Sequence, residues 1–163
     1  MEIVISDTNI FIDLWNIGLL ERFCELPLSI HTTDFIIGEL KTQGVKDAIA
    51  QLHQEGKITI KTFKSNEYAE IMSRQDKNLS FQDCTVLYYA LNGDYKLLTG
   101  DRNLRVIAER HGLQVSGIIY VMDELLHHDI LSKEEYITKL KALLESNHRL
   151  PTKEIMKRIE DSL

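Results

Sequence analysis

Apolar positions along this chain alternate between short unbroken runs and longer stretches of helical spacing. Ile3-Val4-Ile5 is a brief apolar run ending at Ser6-Asp7, and it reads as a buried strand. Ile10, Phe11, Leu14, Trp15 and Ile17 then follow a helical period that Gly18 loosens. Leu28 to Thr32 predicts a second strand. Thr33-Asp34 opens a helix that runs to Leu40, and a further helical period spans Val45 to His53 and stops at Gly56. Ile58 to Phe63 alternates and is rich in β-branched residues, which predicts a third strand. Helical spacing returns over Asn66 to Arg74, and again from Ser80 to a stop at Gly93-Asp94. Tyr95 to Thr99 reads as a strand, Asn103 to His111 as a helix, and Leu113–Val115 with Ile118–Tyr120 as a last extended segment.

Strands that alternate with helices imply parallel β-α-β units. The expected fold is therefore α/β: a three-layer sandwich with a mainly parallel sheet of about five strands. From Met122 the texture changes to helices alone, over Met122–His128, Ser132–Glu145 and Pro151–Asp161, with Pro151 suited to the first turn of its helix. We divide the chain into an α/β domain, residues 1–121, and a C-terminal helical extension, residues 122–163, packed on that domain.

At 163 residues the chain is long enough to bury a core without disulfides or metals. Cys24 and Cys84 lie far apart and form no Cys-x-x-Cys pair. They exclude a disulfide framework and a zinc ribbon, and read as partly buried thiols in a reducing cytosol. No apolar stretch approaches a membrane span, and the start of the sequence lacks the pattern of a signal peptide, so a cytoplasmic protein is expected. The formal charge of −6 does not favour coating of nucleic acid by bulk attraction. It leaves room for a nuclease, whose catalytic acids are counted in that sum.

Four acids occupy related settings. Asp7 follows the first strand and Asp101 follows the strand at Tyr95–Thr99. Glu39 lies about a turn into the helix after the second strand, and Asp83 lies in the first turn of the helix that Ser80 opens. Sites in open α/β sheets lie beyond the carboxyl ends of the strands, where these positions gather. Each acid also has a plainer reading as a helix cap, a first-turn acid or a solvated residue. If the four converge to about 6 Å, each ionised pair repels by roughly 3 kcal/mol at an effective dielectric near 20. Protons or a cation must then relieve the repulsion. An all-oxygen donor set selects Mg²⁺ or Mn²⁺ over zinc, and such an ion equips a site for phosphodiester hydrolysis.

Asp7-Thr8-Asn9, Glu39, Ser80-Phe81-Gln82-Asp83 and Thr99-Gly100-Asp101 resemble, in order and spacing, the four acidic motifs of the PIN domain. The similarity runs from Met1 to about Tyr120. The helical tail resembles that of a prokaryotic subfamily. The resemblance implies a Mg²⁺- or Mn²⁺-dependent ribonuclease acting on single-stranded RNA. It makes Asp7, Glu39, Asp83 and Asp101 the catalytic metal ligands, with Asn9 and Thr99 as groups that orient the acids or the water. Related prokaryotic proteins include toxins of toxin–antitoxin pairs, so an antitoxin protein and a homodimer are the partners it suggests. Phe81, Gln82 and Cys84 depart from the small residues common around the third acid and bear on substrate shape.

Arg102 and Arg105, just after Asp101, suit an RNA phosphate or a solvated face equally well. Lys61 and Lys64 read as solvent charges. The basic tail cluster of His148, Arg149, Lys153, Lys157 and Arg158 suits RNA or an acidic partner segment, but Glu154, Glu160 and Asp161 dilute it and favour a solvated face. His127-His128 points two ways from a helix and is not read as a metal site. Trp15 is read as core. Two other classes compete with the nuclease: a PIN-like module that binds RNA or protein without turnover, and a haloacid-dehalogenase-type phosphohydrolase. The second needs an acid where Asn9 stands.

Overall fold

A computed structural model describes residues 1–163. Five strands form one sheet: β1 (Glu2–Ser6), β2 (Leu28–Thr33), β3 (Ile58–Lys61), β4 (Lys96–Leu98) and β5 (Val115–Ser116). Their order is β3-β2-β1-β4-β5, and every pairing is parallel. The sheet is short along its strands because β4 and β5 are only three and two residues long. Parallel strands are buried on both faces, and their neighbours divide between them. Val4 and Leu98 enter one apolar cluster, while Ile5 and Leu97 enter another on the opposite face.

The first cluster is roofed by α1 (Thr8–Asn16), α2 (Leu20–Phe23), α4 (Gln43–Gln54), α8 (Ile118–His127), α9 (Lys133–Ser146) and α10 (Thr152–Ser162). The second lies under α3 (Asp34–Glu39), α5 (Ser65–Ser73), α6 (Phe81–Gly93) and α7 (Arg102–Arg110). This is the three-layer α/β sandwich expected, with the sheet wholly parallel. Gly18 takes φ +73° after α1, the left-handed conformation that a turn there requires.

The C-terminal helices share the core of the sheet. Val121, Met122, Leu125, Leu140, Leu143, Ile155 and Ile159 are buried with Val4, Ile30 and Leu98 in one cluster. Polar ties accompany this packing. Lys139 Nζ donates to the Ile17 carbonyl at 2.7 Å, and Asn147 Nδ2 donates to Asp13 Oδ1 at 3.0 Å, both at the end of α1. Asp123 on α8 accepts from Tyr136 Oη of α9 at 2.6 Å and from the Arg158 guanidinium of α10 at 3.0–3.3 Å.

Three expectations need correction. Ile118–Tyr120 is the first turn of α8, not a strand. Ile118, Val121, Met122 and Leu125 follow a helical i, i+3, i+4, i+7 spacing, and burial of that stripe outweighs the β-branched character of the start. Pro151 stands at the N-cap of α10, one residue before the first turn. Trp15 is 38% exposed. It lies across α4 at Gly44, where a Cβ would come within 2.5 Å of its ring.

Candidate functional site: an acidic cavity at the switch point

The strand order reverses direction between β1 and β4, so the chains leaving these two strands diverge and open a crevice. Asp7 leaves β1 there and Asp101 follows β4. The Asp7 N–H still donates to the Leu98 carbonyl at 3.1 Å, which holds the first acid against the fourth strand. Glu39 arrives on the last turn of α3, and Asp83 on the first turn of α6. All four line one cavity of about 500 Å³ with Thr8, Asn9, Gly38 and Lys41, and no apolar residue lines it.

The plain capping reading is also correct. Asp7 Oδ1 accepts from the Ile10 N–H at 3.4 Å, Asp101 Oδ1 from the Leu104 N–H at 2.9 Å, and Ser80 Oγ from the Asp83 N–H at 3.1 Å. Capping uses one carboxylate oxygen of Asp7 and one of Asp101. It therefore orients these acids without consuming them.

Hydroxyl groups fix the rest. Thr99 Oγ1 donates to Asp7 Oδ2 and accepts from the Asp101 N–H at 3.0 Å, so one buried threonine sets the spacing of two acids. Thr8 Oγ1 donates to Glu39 Oε2 at 2.7 Å. Below them, the Ile36 N–H donates to Thr33 Oγ1 at 3.3 Å. Thr33 Oγ1 lies 2.8 Å from Thr85 Oγ1, and Thr85 donates to the Gln82 carbonyl at 2.6 Å. The consistent proton order runs from α3 through Thr33 and Thr85 into α6. It couples the helices that carry Glu39 and Asp83.

The electrostatics match this crowding. Burial pushes the Asp7 carboxyl up to about 7; the Thr99 hydroxyl works the other way, and the charge of Asp83 adds to the rise. Burial, then the charges of Asp101 and Glu39, raises Asp83 to about 6. No cationic side chain forms an ion pair with any of the four acids, although Lys41 lines their cavity. No three of these side chains stand close enough to grip a single ion as a closed cage. The donor set still suits Mg²⁺ or Mn²⁺, which keep several waters and need only one or two direct carboxylates.

The raised Asp7 value has a sign that can be tested. Its folded-state value lies above the unfolded value near 3.8. The folded state therefore binds the extra proton, and stability falls as pH rises from about 4 towards 7. In EDTA the wild type is expected to melt lower at pH 8 than at pH 5. Asp7→Asn carries no such charge and is expected to lose less over the same range. Thermal melts at the two pH values check this, and parallel pH curves for both proteins would refute it.

Every site residue expected from the sequence lies in or beside this crevice, in two groups. Asp7, Asn9, Glu39, Asp83 and Asp101 line the acidic cavity; Thr99, Arg102 and Arg105 line its neighbour. The sequence reading missed Thr8, although it sits inside the Asp-Thr-Asn run. It also missed Lys41, two residues after Glu39, which carries no distinguishing local signal.

A parallel sheet with carboxylates gathered outside its carboxyl edge defines an α/β protein with an acidic site at its switch point. A family model described as DUF3368: PIN domain matches residues 3–162, and the chain belongs to that family. PIN domains are generally nucleases and typically use divalent metals. Among solved structures, the chain is similar to a PilT N-terminus domain protein from the hyperthermophilic archaeon Sulfolobus solfataricus P2. That match has 14% identity and a TM-score of 0.46, over 77% of this chain and 95% of that one. It is also similar to a domain of a functionally unknown protein from Methanocaldococcus jannaschii DSM 2661. There the identity is 20% and the TM-score 0.48, over 72% of this chain and 91% of the other. No curated protein matches the chain. No helix is long and apolar enough to cross a membrane.

Proposed function

We propose that this protein is an endoribonuclease that hydrolyses phosphodiester bonds of single-stranded RNA with Mg²⁺ or Mn²⁺. One observation carries the reading: four carboxylates from four separate elements line one cavity that has no apolar lining and no ion-paired cation. Asp7, Glu39, Asp83 and Asp101 would hold the metal. When bound, it would offset their charge, make water easier to deprotonate and stabilise charge gathering on the phosphate.

The chain's own groups do the positioning. Thr99 holds Oδ2 of Asp7, and Thr8 holds Oε2 of Glu39, so neither carboxylate is free to rotate away. The exposed Asn9 amide lies at the cavity wall within reach of water or a phosphate oxygen, and the Lys41 ammonium is the cation available to a bound phosphate. The product expected is a 5′-phosphate facing a 3′-hydroxyl.

The second reading, a binding module without turnover, draws on the lack of a closed metal-gripping triad. Incubating a mixed single-stranded RNA pool with the protein and Mg²⁺, Mn²⁺ or EDTA separates the two. Metal-dependent fragments ending in 5′-phosphate support the nuclease. Intact RNA with either metal, from a protein that binds it, overturns it. A toxin of a toxin–antitoxin pair, acting in the cytoplasm as a homodimer, is the setting that suits such chemistry. An adjacent reading frame for a small DNA-binding protein would support that role.

A further inference from the structure

A second cavity, of about 630 Å³, shares the Thr99–Arg102 loop with the acids. Asp101 lines the acidic cavity, whereas Thr99, Gly100 and Arg102 line this one. Its other walls are the β5–α8 turn at Gly117 and the connection between α9 and α10 at Arg149–Pro151. The size is that of a pocket for a small organic ligand.

Its charge is opposite to that of its neighbour. Arg102, Arg105, Arg149 and Arg158 line it, against the carboxylates of Asp123 and Glu154. Those two carboxylates are engaged by Arg158 at 3.0 Å and 3.6 Å. Arg102, Arg105 and Arg149 form no ion pair with any carboxylate. Arg105 makes one long hydrogen bond, 3.5 Å, to the Val115 carbonyl. Three unpaired guanidinium groups around one cavity are unexpected on a protein of formal charge −6. Guanidinium groups favour phosphate, which they engage through paired N–H donors. Gly117 caps α8 without a side-chain acceptor, so the first N–H groups of this ten-residue helix add positive potential to the same wall. Tyr120, Leu150 and Pro151 supply an apolar side.

We propose that this cavity receives the nucleotide next to the scissile phosphate. Its backbone phosphate meets Arg102, Arg105 and Arg149, and its base lies against Tyr120, Leu150 and Pro151. The C-terminal helices are then part of the substrate-binding surface, and Arg149 is not the solvated charge that the sequence suggested. The identity of the ligand rests on the ribonuclease reading, because the shared loop joins the two cavities.

The test is fluorescence anisotropy of a labelled mixed-sequence single-stranded RNA, titrated with the full chain in EDTA across a range of salt. Arg149 is exposed in a connection, so Arg149→Glu is expected to melt like the wild type. It should bind RNA about tenfold or more weakly at low salt and flatten the dependence of log Kd on log salt by about one unit. Arg149→Lys should recover most of the affinity, and Arg102→Gln should weaken it independently. Arg110→Glu, an exposed charge reversal at the far end of α7, should change affinity less than about twofold. Loss no greater in Arg149→Glu and Arg102→Gln than in Arg110→Glu overturns the cavity assignment, even if the wild type cleaves RNA. Loss confined to the cavity variants upholds the seating of RNA in this cavity; a wild type that binds in this way and never cleaves overturns the nuclease reading and, with it, only the scissile position of the phosphate.

Discussion

Asp7→Asn is expected to lower RNA cleavage at least about a thousandfold, which corresponds to roughly 4 kcal/mol of transition-state stabilisation. Asp7 is 2% exposed and held on two sides. Oδ1 caps α1, and Oδ2 accepts from Thr99. Asparagine caps a helix about as well as aspartate, so Oδ1 keeps its role and the protein should fold. The other oxygen becomes an amide nitrogen that faces the Thr99 hydroxyl, removing a negative charge at the point where β1 and β4 part. A divalent cation would lose one of its four carboxylates, and Thr99 would lose the acceptor that sets its orientation towards Asp101. Cleavage rates with Mn²⁺, beside circular dichroism of both proteins, decide the matter. Cleavage at the wild-type rate would remove Asp7 from the chemistry.

Deleting residues 122–163 is expected to abolish the cooperative unfolding transition altogether. Eight buried side chains of that segment, from Met122 to Ile159, belong to the same apolar cluster as Val4, Ile30 and Leu98. Each contributes about 1.5–3 kcal/mol on burial, so together they match or exceed the roughly 5–15 kcal/mol by which a domain is stable. The deletion would also strip the polar partners of Asp13 and of the Ile17 carbonyl at the end of α1. Heteronuclear NMR of the shortened protein gives the readout. Dispersed amide signals would show that residues 1–121 fold by themselves, contrary to this expectation. A milder change, Leu140→Ala at a fully buried position, should cost about 2–5 kcal/mol in the full chain.

The alternation of short apolar runs with helical periods made the layered fold legible, because the central strand β1 is buried from Val4 to Ser6 and the more polar β2 and β3 still carry buried apolar positions at Ile30 and Ile58. The four acids were legible for a related reason. A residue that caps the helix after a parallel strand must stand at the carboxyl edge of the sheet, so Asp7 and Asp101 announce their place by sequence position alone. Glu39 and Asp83 were located by motif order. Their relative setting depends on Thr33 and Thr85, which are remote in sequence and meet only in the folded core. Ile118-Ile119-Tyr120 misled because local β-propensity favours a strand, whereas the buried stripe that decides the matter extends beyond it to Leu125. At Arg149 the sequence offered RNA binding only as the less favoured reading of a basic tail cluster, without the pocket. A basic cluster diluted by acids looks solvated until the pairing of Arg158 with Asp123 and Glu154 shows which cations remain unpaired.

The sharing of one core by the sheet and the last helices bears on how such a protein is born. Translation proceeds from the N-terminus, so β1 with Asp7 is made first, and Ile155 and Ile159, which pack into the same interior, are made long afterwards. The nascent chain therefore carries all four acids well before it can close the interior that holds them in place. A ribosome making this protein works on the message while the product is still an unfinished scaffold. Under the ribonuclease proposal, cleavage would begin only once α10 has been made, after the message has been read to the end of this segment.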